Sequence, residues 1–143
     1  MSVQVALSER IYPDFADKKD VFLKVFAKEM KRRKYKIKIS KESGFDLIYS
    51  DFFGEAKIYA KEDNGLLRFG YKLSVSFLLF AFAAIFPIFD LMYVIFSAGI
   101  VLVWMIKIIN IRSTINNCAE NAYVIVGSKN YLPEEGEEAS ESR

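Results

Sequence analysis

Thirty-four consecutive residues, Leu73 to Ile106, hold a single charged side chain, Asp90. As one straight helix they would reach ~51 Å, against a hydrocarbon core ~30 Å thick. One straight crossing does not fit. Folded at its centre, the stretch becomes two antiparallel helices of about 17 residues and ~25 Å each, sufficient when Lys72 and Lys107 snorkel toward the headgroups. The centre reads "FPIFD", residues 86–90. Pro87 removes a backbone donor and biases Phe86 away from helical geometry, and Asp is a favoured N-cap for the helix that comes next. Pro87 and Asp90 are therefore the expected membrane turn, between spans at about 72–88 and 91–109 within a transmembrane hairpin over residues 72–109. An ion-binding or proton-relaying Asp90 is the competing reading, since ionisable groups inside a bilayer are functional by default. The cap is preferred because Asp90 falls at the expected turn, at the water interface, and the stretch offers it no ionisable partner.

The flanks set the orientation. Lys57, Lys61, Arg68 and Lys72 precede the stretch, Lys107 and Arg112 come after it, and the turn has no basic residue. Positive charge is retained in the cytosol, so both termini are expected to be cytoplasmic, in a plasma membrane of the bacterial inner-membrane type. Tyr71 and Trp104 near the inner boundary, and Tyr93 near the outer one, are the expected interface anchors, together with Lys72 and Lys107. The opening "MSVQVALSER" has neither a charged n-region nor an adequate apolar run, so no cleaved signal peptide is expected.

Ahead of the apolar stretch, residues 1–71 read as a small cytosolic α+β domain, one helix against an antiparallel sheet. Asp17 is the expected N-cap of a helix reaching about Lys34, with Phe22, Phe26 and Met30 recurring at i, i+4 and i+8. The period then changes to two: Tyr35, Ile37 and Ile39; Phe45, Leu47 and Tyr49; Ala56, Ile58 and Ala60. Asn64-Gly65 signals a tight hairpin into a further strand through Leu67, Phe69 and Tyr71. Some seventy residues rarely bury a generous core, so support is expected from the membrane surface, a second copy, or the segment after the second span. That segment keeps Ile108, Ile111, Ile115, Cys118 and Ala122 at helical spacing, and a juxtamembrane helix is expected over 110–127. Residues 128–143, rich in glutamate, have the composition of a disordered tail.

The charge distribution narrows the function. Residues 1–72 carry sixteen basic and eleven acidic groups, and residues 107–143 carry four basic and six acidic. The basic excess concentrates in "KRRKYKIK", where Lys31, Arg32, Arg33, Lys34, Lys36 and Lys38 are candidate contacts for anionic headgroups or another anionic ligand. No nucleic-acid-binding motif accompanies the run, so nucleic acid is disfavoured as a partner. With no histidine and one cysteine, Cys118, neither a disulfide framework nor a zinc site of Cys/His type is expected. No phosphate loop or nucleophile motif appears, so neither an enzyme nor a cofactor is expected.

The preferred reading is a two-pass integral membrane protein whose cytosolic domain is a membrane-anchored interaction or regulatory module. Its expected partners are the bilayer and an unidentified protein or a second copy. The alternative is an oligomeric, membrane-perturbing effector of holin-like or toxin-like kind. Small residues at Ala81, Ala83, Ala84 and at Ser97, Ala98, Gly99 suit close packing of the two helices or of copies.

Overall fold

The structure is a computed structural model that describes residues 2–85 and 90–128. Pro87 and the glutamate-rich segment after Ser128 lie outside the described residues. Chain order is β1 (Ser2–Tyr12), a 3-10 turn (Ala16–Lys18), α1 (Lys19–Arg32), β2 (Ile37–Ile39), β3 (Leu47–Ser50), β4 (Gly54–Asp63), β5 (Leu66–Ser76), α2 (Phe77–Ile85) and α3 (Leu91–Gly127). The five strands form one antiparallel sheet in the order β1-β5-β4-β3-β2. The fold is α+β, with one long apolar helix in addition.

Period-two alternation decides which face of the sheet is covered. Leu67, Phe69, Tyr71 and Leu73 of β5, Ala56, Ile58 and Ala60 of β4, and Leu47 and Tyr49 of β3 all turn inward. Phe22, Val25, Phe26 and Met30 of α1 meet them, as the helical spacing predicts. The later part of α3 completes the layer with Ile115, Cys118, Ala119, Ala122 and Val126. Its small side chains allow α1 to pack closely, and Tyr123 closes the far end by stacking on Tyr12 at 4.6 Å between ring centroids. The other face is solvated: Arg68 pairs with Asp63 at 2.8 Å, and Lys57 with Glu42. There Tyr59 lies across Gly70, where a β-carbon would come within 2.4 Å of its ring.

The Asn64-Gly65 turn forms as expected, both residues having positive φ (49° and 80°), which suits a two-residue connection between Asp63 and Leu66. Other expectations are corrected. β1 has no counterpart among the expected strands: its register shifts between Gln4 and Ala6, and this bulge breaks the alternation that marks a strand. β5 continues through Ser76, paired with β1 and β4 beyond Lys72, so the next helix starts at Phe77 rather than at residue 72. Tyr71 is only 1% exposed, its ring in the core between the sheet and the helices, and it is not available as an interface anchor. Asp17 lies inside the 3-10 turn and does not cap α1. The need of residues 1–71 for further support, by contrast, is met as expected by the segment after the apolar stretch, since α3 supplies part of the core.

α1 stops at Arg32 because Lys34 turns left-handed, with φ 68°. Its N–H donates to the Lys31 carbonyl at 2.9 Å and the Tyr35 N–H to the Met30 carbonyl at 3.0 Å. This is the Schellman arrangement, at a site where glycine is usual. Lys34→Gly should therefore stabilise the fold by roughly 0.5–1 kcal/mol, read as a raised denaturation midpoint.

Leu73, Val75, Lys107 and Ile108 line one small cavity, so the chain leaves and re-enters the folded body at neighbouring points. Replacing residues 77–106 with a short Gly/Ser linker should yield a water-soluble chain with a single cooperative urea transition. Ending the chain at Ser76 should abolish that transition.

Candidate functional site

Between the exit and re-entry points the described residues are apolar and largely uncovered. Phe77, Leu78, Phe80, Phe82 and Ile85 on α2 are exposed, as are Leu91, Met92, Ile95, Phe96, Leu102 and Ile106 on α3. Of the most apolar eighteen-residue window of α3, only 6% is buried. A core helix of a water-soluble domain would be mostly covered. Contiguous apolar patches on soluble monomers rarely exceed a few hundred Å². By length and composition α3 can cross a membrane.

α2 and α3 touch, and a polar contact joins them. Ser97 is buried, and its Oγ donates to the Ala83 carbonyl at 2.6 Å. Ala98 and Gly99, expected to share in this packing, are exposed. Asp90 stands at the N-cap position of α3, where its carbonyl accepts the Tyr93 N–H at 3.0 Å. Its side chain makes no capping bond, so the expected cap holds by position and not by side-chain chemistry.

At the base of the apolar segment is a polar junction that the sequence did not announce. Lys107, the first charge after Ile106, reaches Asp51 Oδ2 at 2.9 Å and lies 3.9 Å from the ring centroid of Phe53. Asp51 also accepts the Tyr49 hydroxyl at 2.9 Å, and its Oδ1 accepts the N–H groups of Phe53 and Gly54 at 2.9 and 3.1 Å. Burial pushes the Asp51 carboxyl up, but the bonds from Lys107, Tyr49 and Phe53 outweigh it and hold the group below its ordinary value of 3.8. Burial and the bond to Asp51 push the Tyr49 phenol up, so it stays a proton donor. Trp104 borders the junction, and its indole N–H is buried with no partner among the described residues. The cavity here is about 30 Å³, room for about one water molecule and too small for a substrate or cofactor.

Antiparallel packing of α1 on α3 brings the basic run toward this junction. Phe15, just before α1, lies 4.9 Å from Tyr123, whereas Tyr35, just after it, has its hydroxyl 3.5 Å from Thr114 Oγ1. Thr114 is seven residues beyond Lys107, or about 10 Å along the helix. Lys31, Arg32, Arg33, Lys34, Lys36 and Lys38 are all exposed, Lys38 on edge strand β2 and the others around the end of α1. The same pole of the sheet gathers the start of β1, the turn at 51–53 and the Ser76–Phe77 exit. Asp14, Asp17, Asp63 and Gly127 lie toward the opposite pole. Of the remaining expected anchors, Lys72 lies in register with Lys57 on the outer sheet face and Tyr93 is exposed near the start of α3.

Cys118 is fully buried and burial pushes its thiol up, which disfavours the thiolate a reactive cysteine needs. Among the described residues no cluster of His, Cys, Asp or Glu could hold a metal ion. No protein family, characterised protein or solved structure matches the chain.

Asp51→Asn should cost about 1–3 kcal/mol, the range for weakening hydrogen bonds to a charged group, measured by thermal unfolding in detergent. Because the carboxyl sits below 3.8 in the folded chain, its contribution is fully present above that pH and is lost as pH falls through the lower folded-state value. The acid limb of the wild-type stability profile should flatten in the Asn variant.

Proposed function

We propose that the chain is a two-pass integral membrane protein of the plasma membrane. α2 and the first half of α3 form the crossing hairpin, and the second half of α3 is its cytosolic extension. The α+β body then lies against the cytoplasmic face, with both termini in that compartment, as a membrane-anchored interaction or regulatory module. The observation that carries this reading is the division of α3: apolar and largely uncovered up to Ile106, then polar on one side and built into the core up to Val126. A single helix whose halves suit lipid and protein core in turn is what a membrane-seated domain requires.

The basic pole supports the choice of side and of first partner. Cations around the end of α1 and at Lys107 fall where the hairpin leaves the body, and each basic side chain near an anionic leaflet contributes ~1 kcal/mol of attraction. The solvated outer sheet face is left for a protein partner or a second copy. We read the role as non-catalytic. The pore alternative draws less support, because the Ser97 hydroxyl is turned onto the Ala83 carbonyl and not onto a lumen.

Single cysteines in a Cys118→Ala background test the threading. A membrane-impermeant maleimide applied to intact cells should leave Asn64→Cys and Ser128→Cys unlabelled and should label Leu91→Cys. Labelling of Asn64 and Ser128 from opposite sides, or release of the protein by carbonate washing, would overturn the two-pass reading.

A further inference from the structure

The turn between β3 and β4 spends an aromatic side chain on solvent at the point where the hairpin departs. Phe52 is 77% exposed, yet the turn that carries it is firmly held. Asp51 binds its own turn through two backbone N–H groups, its N–H donates to the Gly54 carbonyl at 2.9 Å, and Lys107 fixes its carboxylate to α3. Phe53 lies beneath the Lys107 ammonium and against Phe52, ring centroids 5.5 Å apart. The structure thus presents Phe52 on a braced support, at the level of the last charge before the apolar half of α3.

From this we propose that residues 51–53 are a membrane-interface anchor, with Phe52 seated among the headgroups and upper acyl chains of an anionic leaflet. The inference rests on the two-pass reading and adds to it a site, a depth and a lipid class. Three observations point the same way. First, the largely uncovered part of α3, Leu91 to Ile106, spans only ~24 Å against a hydrocarbon core of ~30 Å. Drawing the near pole of the domain into the interface relieves that mismatch, and Phe52 is the apolar group placed to enter first. Second, the ring stands beside both ends of the apolar segment: Phe53, which packs on Phe52, lies against Lys107 of α3, and its carbonyl accepts the Ser76 N–H at the end of β5 at 3.3 Å. Third, the basic side chains of Lys34 and Lys36 share this pole, the pairing of an apolar insertion with cations that interfacial lipid contacts use. Zwitterionic lipid would meet the ring alone; anionic lipid meets both.

The test uses the full chain, carrying Cys118→Ala, in vesicles of phosphatidylcholine and phosphatidylglycerol. An environment-sensitive fluorophore is attached at Phe52→Cys, at Asn64→Cys on the opposite pole, or at Ile95→Cys within α3. In these vesicles the probe at 52 should emit blue-shifted and should be quenched by lipids brominated near the glycerol end of their chains, while the one at 64 should show neither effect. Deep-brominated lipids should quench the probe at 95. Omitting phosphatidylglycerol, or replacing Lys34 and Lys36 with Gln, should reduce quenching at 52 and not at 95. A water-like, unquenched probe at 52 beside a quenched probe at 95 would overturn this inference and leave the two-pass reading standing; silence at both would overturn both. A blue shift at 52 that tracks protein density and ignores brominated lipid would place Phe52 against a second copy, and would overturn it as well.

Discussion

A single helix in two environments is the constraint on which the rest of the structure depends. α3 satisfies its backbone hydrogen bonds internally, so it can pass from a protein core to a region with no protein cover without stranding a peptide group. Its composition changes where its surroundings change. Below Lys107 the inward side chains are Ile115, Cys118, Ala119 and Ala122, small enough for α1 to close on them, and above it leucine, isoleucine, phenylalanine and methionine face outward. The strand side of the connection cannot do the same, because a strand edge carried away from its neighbours would leave unpaired N–H and C=O groups. β5 therefore becomes helix at Phe77, as its pairing with β1 and β4 runs out.

Much of this is legible in the sequence wherever a pattern is local. The 3.6-residue recurrence of Phe22, Phe26 and Met30 marks α1, Asn64-Gly65 marks the hairpin, and the spacing of Ile115, Cys118 and Ala122 marks the covered side of α3. Failures come where two patterns overlap or where a local one is interrupted. "LSVS", residues 73–76, is apolar enough to merge with the helix beyond it, so the end of β5 reads as the start of a span. β1 carries a bulge, and a strand that changes face midway has no continuous alternation to read.

The polar junction is hidden for another reason. Asp51 and Lys107 are 56 positions apart, and although Lys107 marks the end of the apolar stretch, nothing local points to Asp51 as its partner. Only the register of β3 on β4, together with the seating of α3, brings them to 2.9 Å. "DFFG" does hold a partial clue, since Asp is a residue whose carboxylate closes turns on nearby N–H groups. The direction of the basic run has no such clue: antiparallel packing of α1, fixed by contacts at Phe15 and Tyr35, decides which pole receives it.

The length of α3 has a consequence for charges carried toward its far end. Gly127 lies twenty residues past Lys107, which at 1.5 Å per residue is a stand-off of about 30 Å. Electrostatic repulsion between exposed charges fades over a Debye length of about 8 Å at physiological ionic strength. With the body seated as proposed, the far end of α3 stands several screening lengths above an anionic leaflet. On the helix itself Glu120 is thirteen residues past Lys107, about 20 Å along the axis, so its carboxylate is lifted out of the lipid's field.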